Sequence, residues 1–451
     1  MDVPKMVAPV IADRNGKRFL LAREQETGKL RAHGVPAEPI RAVSSRSTHS
    51  TSNAQEFPMT AMALQMEPGP TLVDDRVIQA LAAPPMYHQS AEFAQLMDET
   101  CELLKQIYGT GGEVVVLPAS GRGAVESALA SADPVDRPLV VPANGTFGRM
   151  MAAIGGSLGM RVVELKHDSG QPLAVRDIEA ELDRHDRPVL GVVHNETSTG
   201  MVNDLAEYAD LVHRRDGLLL VDAVSSLGGT AIDFDDLGID LCASAAQKSV
   251  GAPPGLAFVA VSERARGEIE GRRRPPLGYY LDLLRWWDQW VPGEQGGRLK
   301  SGYRRLPWTM PTNLVVALRR ALELTAEEGI EERWERHRRT GAGLRAAMAV
   351  LGMHPVAPPG AESSTVGAFR LPGSIDARTL RRRLAQRHRV HIAGGMDGDA
   401  ATVIRIAHMA ESARPGPQLH TIAAIAYELN ALGVRAATDP TRDFLAAWCA
   451  E

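Results

Sequence analysis

The chain has 451 residues, with 50 lysines and arginines against 55 aspartates and glutamates, for a formal net charge of -5. That length allows two or three domains with a sizeable core, and the balanced charge leaves no basic footprint for nucleic acid. The three cysteines (Cys101, Cys242, Cys449) lack metal spacing and the apolar runs are only strand length, which argues against disulfides, a bound metal and a membrane span.

In chain order, Met1 to Leu30 carries Asp2, Asp13, Glu24 and Glu26 and no continuous apolar core, so no secretory signal is expected and the cytoplasm is the expected location. KRFLLAREQETGKLRAHG could form a short hairpin or a helix. VSSRSTHSTSNAQ (Val43 to Gln55) is polar and aperiodic and reads as a linker. Residues 1–61 are therefore expected to form a disordered extension. From residue 62 to 326, VVVL, PLVVP, RVVELK, PVLGVVH, GLLLVD and LAFVAV alternate with helix-sized segments. This predicts a large α/β domain on a mainly parallel sheet, with ligands at the carboxyl ends of its strands. A helical stretch, EEGIEERWERHRRTGAGLRAAMAVLG, then leads into shorter strands (TVGAFRL, RVHIAG, TVIRIA) and a helix near Leu419 to Leu432. These predict a small α+β domain over 327–437, followed by a tail over 438–451. Arg381, Arg382 and Arg383 lie in a helical pattern and read as a solvated face.

Two places carry chemistry. In EVVVLPASGRGAVESALASA a β-branched run is followed by a small-residue turn (Ala119, Ser120, Gly121) and a helical pattern. That order aims backbone N–H groups and the positive end of a helix dipole at an anion, with a hydroxyl from Ser120 and a cation from Arg122. An ordinary βα turn is the alternative. Further on, Lys248 of AAQKS lies 26 residues after Asp222, which closes GLLLVD. A lysine amine can hold pyridoxal 5'-phosphate (PLP) as a Schiff base, and a carboxylate can keep its pyridine nitrogen protonated so that the ring accepts an electron pair. Singly, such an Asp could be a strand-end cap and such a Lys a solvated cation. Gln247 and Lys248 leave an apolar stretch, DLCASAA, for the Gly/Pro turn SVGAPPG, which separates the lysine from any charged helix face.

An ordered set of segments carries a resemblance: EPGPTLVDDRVIQAL, AEFAQLMDE, ASGRGAVESAL, ANGTFGR, HNETSTG, LLLVDAVSSLGG, AQKSVGAPPGLAFVAVSERA, WTMP and RIAHM. From about Met62 to Gly433 the chain resembles the class V aminotransferases of fold type I, within them the alanine–glyoxylate and serine–glyoxylate group. The resemblance implies Lys248 as the Schiff-base lysine and Asp222 as the pyridinium partner. It implies Ser120, Gly121, Arg122 and Gln247 as phosphate ligands, joined by Thr309 from a partner subunit, hence a homodimer. Phe147 and Val224 would cover the two ring faces, Thr197 would bond the ring hydroxyl, and Arg405 would grip the substrate carboxylate. Gly69 of the EPGP loop would border the substrate. Glu67 stands where the family pattern has a glycine, and Tyr87-His88-Gln89-Ser90 stands where it has a Gly-His pair. Both departures fall on loops that border the substrate in relatives.

Several of these residues have plainer readings. Phe147 could be a core aromatic, Thr197 and Ser198 could cap a turn, and Arg405, in the alternating VIRIA, could lie on a solvated strand face rather than in an anion receptor. His408 could support Arg405 or simply pack. The stretch YYLDLLRWWDQWVPGEQGGRLKSGYRRLPW could be a pocket lid, a dimer contact or a surface loop.

The expected activity is a PLP-dependent transfer of an amino group from a small amino acid, alanine or serine-like, to a small 2-oxo acid, glyoxylate or pyruvate. The alternatives are a pyridoxamine–pyruvate aminotransferase, a lyase or cysteine desulfurase, whose relatives place a His where this chain has Gln247, and a non-catalytic binder built on the same fold.

Overall fold

Seven strands form the central sheet: β1 (Glu113–Leu117), β2 (Leu139–Ala143), β3 (Val162–Lys166), β4 (Val189–Val193), β5 (Leu218–Asp222), β6 (Leu241–Ala245) and β7 (Ala257–Val261). This computed structural model describes residues 10–12, 18–23, 30–34 and 63–450, apart from 133–136, 173, 273–276, 300–303 and 374. The sheet order is β1-β7-β6-β5-β4-β2-β3, antiparallel on both sides of β7 and parallel elsewhere. Every residue of β2, β4, β6 and β7 is buried. Continuous apolar runs such as VLGVV, without alternation, are what a sheet covered on both faces requires.

The covering helices include α1 (Asp75–Leu81), α2 (Ala91–Tyr108), α3 (Gly121–Ser131), α4 (Thr146–Ser157) and α5 (Thr312–Glu328). Ser90 caps α2 by accepting from Phe93 N, and Gly109, at φ 66°, ends it in the left-handed region. α3 follows the carboxyl end of β1 and α4 that of β2, while Asp222 closes β5 and Lys248 comes three residues after β6. Sheet polarity thus gathers both chemical segments at one end.

A second, antiparallel sheet has the order β8-β9-β11-β10: β8 (His354–Pro355), β9 (Val366–Arg370), β10 (Ala393–Gly394) and β11 (Val403–Ala407). Its core includes Leu344 and Met348 of α6 (Ile330–Val350) and Ile422 and Ile425 of α7 (Pro415–Ala431). Two segments depart from the expected boundaries. Leu64–Gln65 pairs with Val390–His391, and Met66 is buried in the second core, so this segment belongs to the smaller layer and not to the large one. In place of a tail there is a helix, α8 (Pro440–Trp448), capped by Asp439. It buries Phe444 fully against Gly343, where a Cβ would come within 2.8 Å of the ring.

Residues 1–60 form a separate unit. Val10–Ala12, Arg18–Arg23 and Leu30–Gly34 pair there as a three-stranded antiparallel sheet, where a disordered extension was expected. Val43 to Gln55 lie outside the described residues. The Trp-rich stretch also differs from a loop: Trp286, Trp287, Trp290 and Trp308 are buried in the large core, because indoles bring more apolar area than a surface segment can expose. Tyr279 and Tyr280 beside them are exposed.

Candidate active site

Lys248 and Asp222 face one cavity, which Gly121, Arg122, Phe147, Thr197 and Val224 also line. Burial chiefly, with help from Arg405, pushes the Lys248 amine down to about 8, against the opposing pull of Asp222. Its Nζ donates to the Pro68 carbonyl, and Thr71 N donates to the Gln247 carbonyl at 3.1 Å, so the EPGP loop is laced to the lysine segment. Gly69, at φ 98°, fits only as glycine, since a Cβ there would lie 2.6 Å from Lys248 Nζ. Burial raises the Asp222 carboxyl to about 6, although Val224 N donates to its Oδ1 at 2.9 Å.

Gly121 opens α3 against the side chain of Val224, 2.6 Å from where a Cβ would stand. Ser120, the residue before it, makes no cap bond with its side chain and is exposed, as is Arg122. Thr197 Oγ1 donates to Ser225 Oγ at 2.7 Å, and Ser225 Oγ donates to Asn195 O at 2.9 Å. Arg405 stands behind Thr197 rather than in the cavity wall: its Nε donates to Gly394 O at 2.8 Å and one terminal nitrogen to Thr197 O at 3.2 Å. Burial lowers it to about 10, partly offset by Glu196, and the side chain is half-buried rather than on a solvated strand face. Thr309 is exposed and outside this cavity. His408 packs: one ring nitrogen bonds Ser364 O at 2.7 Å and burial lowers it to about 3.

Sequence reasoning missed Glu196, fully buried beside the cavity, and Arg333, whose guanidinium donates to Gly228 O at 3.0 Å and Ser249 O at 2.6 Å and so pins the turn after Lys248. Glu196 stood in HNETSTG, where a charge among small polar residues was the available signal. Arg333 stood among many helical arginines and had none.

The residues fit PLP. A carboxylate and an amine held at shifted pKa values line one largely apolar cavity, and α3 opens there at Gly121 with no side-chain cap on its first N–H groups, which suits an anion. No group of three or more His, Cys, Asp or Glu suited to a metal occurs among the described residues.

Comparison with known proteins agrees. The family model "Aminotransferase class-V" matches residues 69–416. The chain is 32% identical over 348 residues to alanine–glyoxylate aminotransferase of Callithrix jacchus, covering 77% of this chain and 82% of that one. Among solved structures, ureidoglycine–glyoxylate aminotransferase of Bacillus subtilis superposes with a TM-score of 0.79 at 28% identity, over 86% of this chain and 98% of that one. Pyridoxamine–pyruvate aminotransferase of Mesorhizobium loti gives 0.78 at 25% identity, over 87% and 98%. The seven-stranded sheet, the site at its carboxyl edge and these matches lead to one conclusion: the chain belongs to the class V aminotransferases, PLP-dependent enzymes of fold type I.

Proposed function

We propose that the protein moves an amino group from a small amino acid, alanine or serine-like, to a small 2-oxo acid, glyoxylate or pyruvate, with Lys248 as the residue that carries PLP. The observation that supports this most is the convergence of Lys248, Asp222 and Thr197 on one cavity, with Arg405 bonded to the back of Thr197. In this reading Ser120, Gly121, Arg122 and Gln247 hold the phosphate, Phe147 and Val224 cover the ring faces, and Thr197 meets the ring hydroxyl. Bound PLP supplies the sink for the electron pair released at the substrate Cα. Asp222 holds a proton at the pyridine nitrogen. Lys248, with Nζ near 8, exchanges between neutral and charged forms close to neutral pH, as a group that moves a proton at Cα must. Arg405 orients the substrate carboxylate, and Gly69 leaves room for the lysine to move.

Small substrates are supported by the named relatives, which act on glyoxylate or pyruvate. Thr309, exposed and away from its own cavity, is assigned to the phosphate of a second copy, making the enzyme a homodimer. No helix among the described residues is long and apolar enough to cross a membrane, and the three cysteines are free thiols; we assign the enzyme to the cytoplasm. The similarity to the Mesorhizobium loti structure favours a second reading, in which pyridoxamine is the donor and pyruvate the acceptor. Mixing holoenzyme with L-alanine or L-serine and following the long-wavelength cofactor absorbance, and separately mixing cofactor-free enzyme with pyridoxamine plus pyruvate and following pyridoxal formation, separates them: the amino acids should bleach the holoenzyme, whereas pyridoxal formation with no response to the amino acids would establish the second reading. No response to any of a wide panel of donors would refute both.

A further inference from the structure

Glu196 has no exposed surface, yet nothing in the reaction assigned above uses it. Its Oε2 accepts from Phe147 N at 2.9 Å and Gly148 N at 3.2 Å, and its Oε1 from Ser198 N at 3.0 Å and Ser198 Oγ at 2.5 Å. The first two donors belong to the opening turn of α4, whose N-cap, Gly145, has no side chain to satisfy them. Gly145 is extended (φ -174°), a conformation open to any residue. Glycine is needed there for space, because a Cβ would lie 2.3 Å from Glu196 Cγ and Cδ. A carboxylate from the β4–β5 side of the site therefore caps a helix that starts after β2. The same residue is bonded to Thr197 through the chain, and Thr197 O receives Arg405.

We infer that Glu196 is a positioning residue: one buried carboxylate locks the Phe147 backbone to the Thr197–Ser198 turn and, through Thr197 O, to Arg405, fixing the spacing between the aromatic that covers the cofactor and the arginine that holds the substrate. This rests on the roles proposed above for Phe147, Thr197 and Arg405. Four donors on two oxygens suit a carboxylate better than an amide, since the NH₂ of a glutamine would face a backbone N–H in either orientation, Phe147 and Gly148 at one end or Ser198 at the other. Burial raises the Glu196 carboxyl, while the donors from Ser198, Gly148 and Phe147 pull it back down; the positive end of the α4 dipole and Arg405 on the other side also favour the ionised form.

A helix cap and a positioning device predict different rescues. Glu196→Ala removes the cap and also the side chain that excludes a Cβ at position 145, so Gly145→Ser added to it can cap α4 locally. In the double variant we expect Tm to return toward wild type while kcat/KM stays about 10- to 100-fold low, since the link to the Thr197–Ser198 turn is still missing. The circular dichroism of the bound cofactor, which reports how the ring is held, should differ from wild type in Glu196→Gln and in the double variant. Recovery of kcat/KM together with Tm would reduce Glu196 to a cap, and a Glu196→Gln enzyme with wild-type kcat/KM and cofactor dichroism would overturn the inference outright. Borohydride reduction of wild-type holoenzyme, followed by peptide mapping, keeps the two levels apart. Failure to label Lys248 sinks the site reading, whereas a labelled Lys248 with an unperturbed Glu196→Gln sinks only this inference.

Discussion

Replacing Arg405 by alanine separates a substrate receptor from a structural strut. The guanidinium has five N–H donors, of which Nε is spent on Gly394 O and one terminal N–H on Thr197 O, leaving others for an anion. A carboxylate held by arginine in a water-poor pocket loses about 2 to 4 kcal/mol of binding or transition-state stabilisation when the arginine goes, or roughly 30- to 1000-fold in kcat/KM. Single-turnover mixing with an amino acid donor should show that loss, while PLP still binds before mixing, because Arg405 does not line the cavity. Pyridoxamine has no carboxylate, so its half-reaction should survive and only the 2-oxo acid half should slow. The assay is to run both half-reactions separately on one preparation. If neither responds, Arg405 only ties β11 to the Thr197 turn and the carboxylate assignment falls.

Other outcomes follow from the same geometry. Burial raises Asp222 from 3.8 to about 6, so at pH 7 its charge costs the apoprotein about 3 kcal/mol that the unfolded chain does not bear. That cost is absent below pH 3.8 and grows as pH rises toward 6. Asp222→Asn should thus make the apoprotein more stable than wild type at pH 7, with little difference near pH 4, while nearly abolishing turnover; equal melting temperatures at pH 7 would contradict the burial argument. Covalent capture of PLP by apoenzyme needs a neutral Lys248 amine, so its rate should climb with pH and level off past about 8, and a climb continuing to 10.5 would show an unperturbed lysine. Gly69→Ala, which would drive a Cβ into Lys248, should lower kcat/KM by about tenfold or more; an unchanged value would mean that the EPGP loop moves aside freely. Thr309→Ala should raise the PLP concentration needed for activity and leave the assembly intact in sedimentation, whereas a fully active wild-type monomer would dispose of the shared site.

The sequence by itself determined the alternating β and α elements and the polarity that brings Ser120, Asp222 and Lys248 to one edge, because strand period and turn chemistry are local properties. It was silent on contacts made across the chain. The tertiary structure decided that Glu196 caps a helix 50 residues away in sequence, that Arg333 pins the turn after the lysine, and that Arg405 bonds Thr197 from behind. It also decided that the indoles between Leu284 and Trp308 are core, and that Met66 and Phe444 complete the smaller layer. Whether a polar or aromatic side chain is buried depends on which surfaces fold over it, and nothing within a few residues of Arg333 or Trp286 along the chain encodes that.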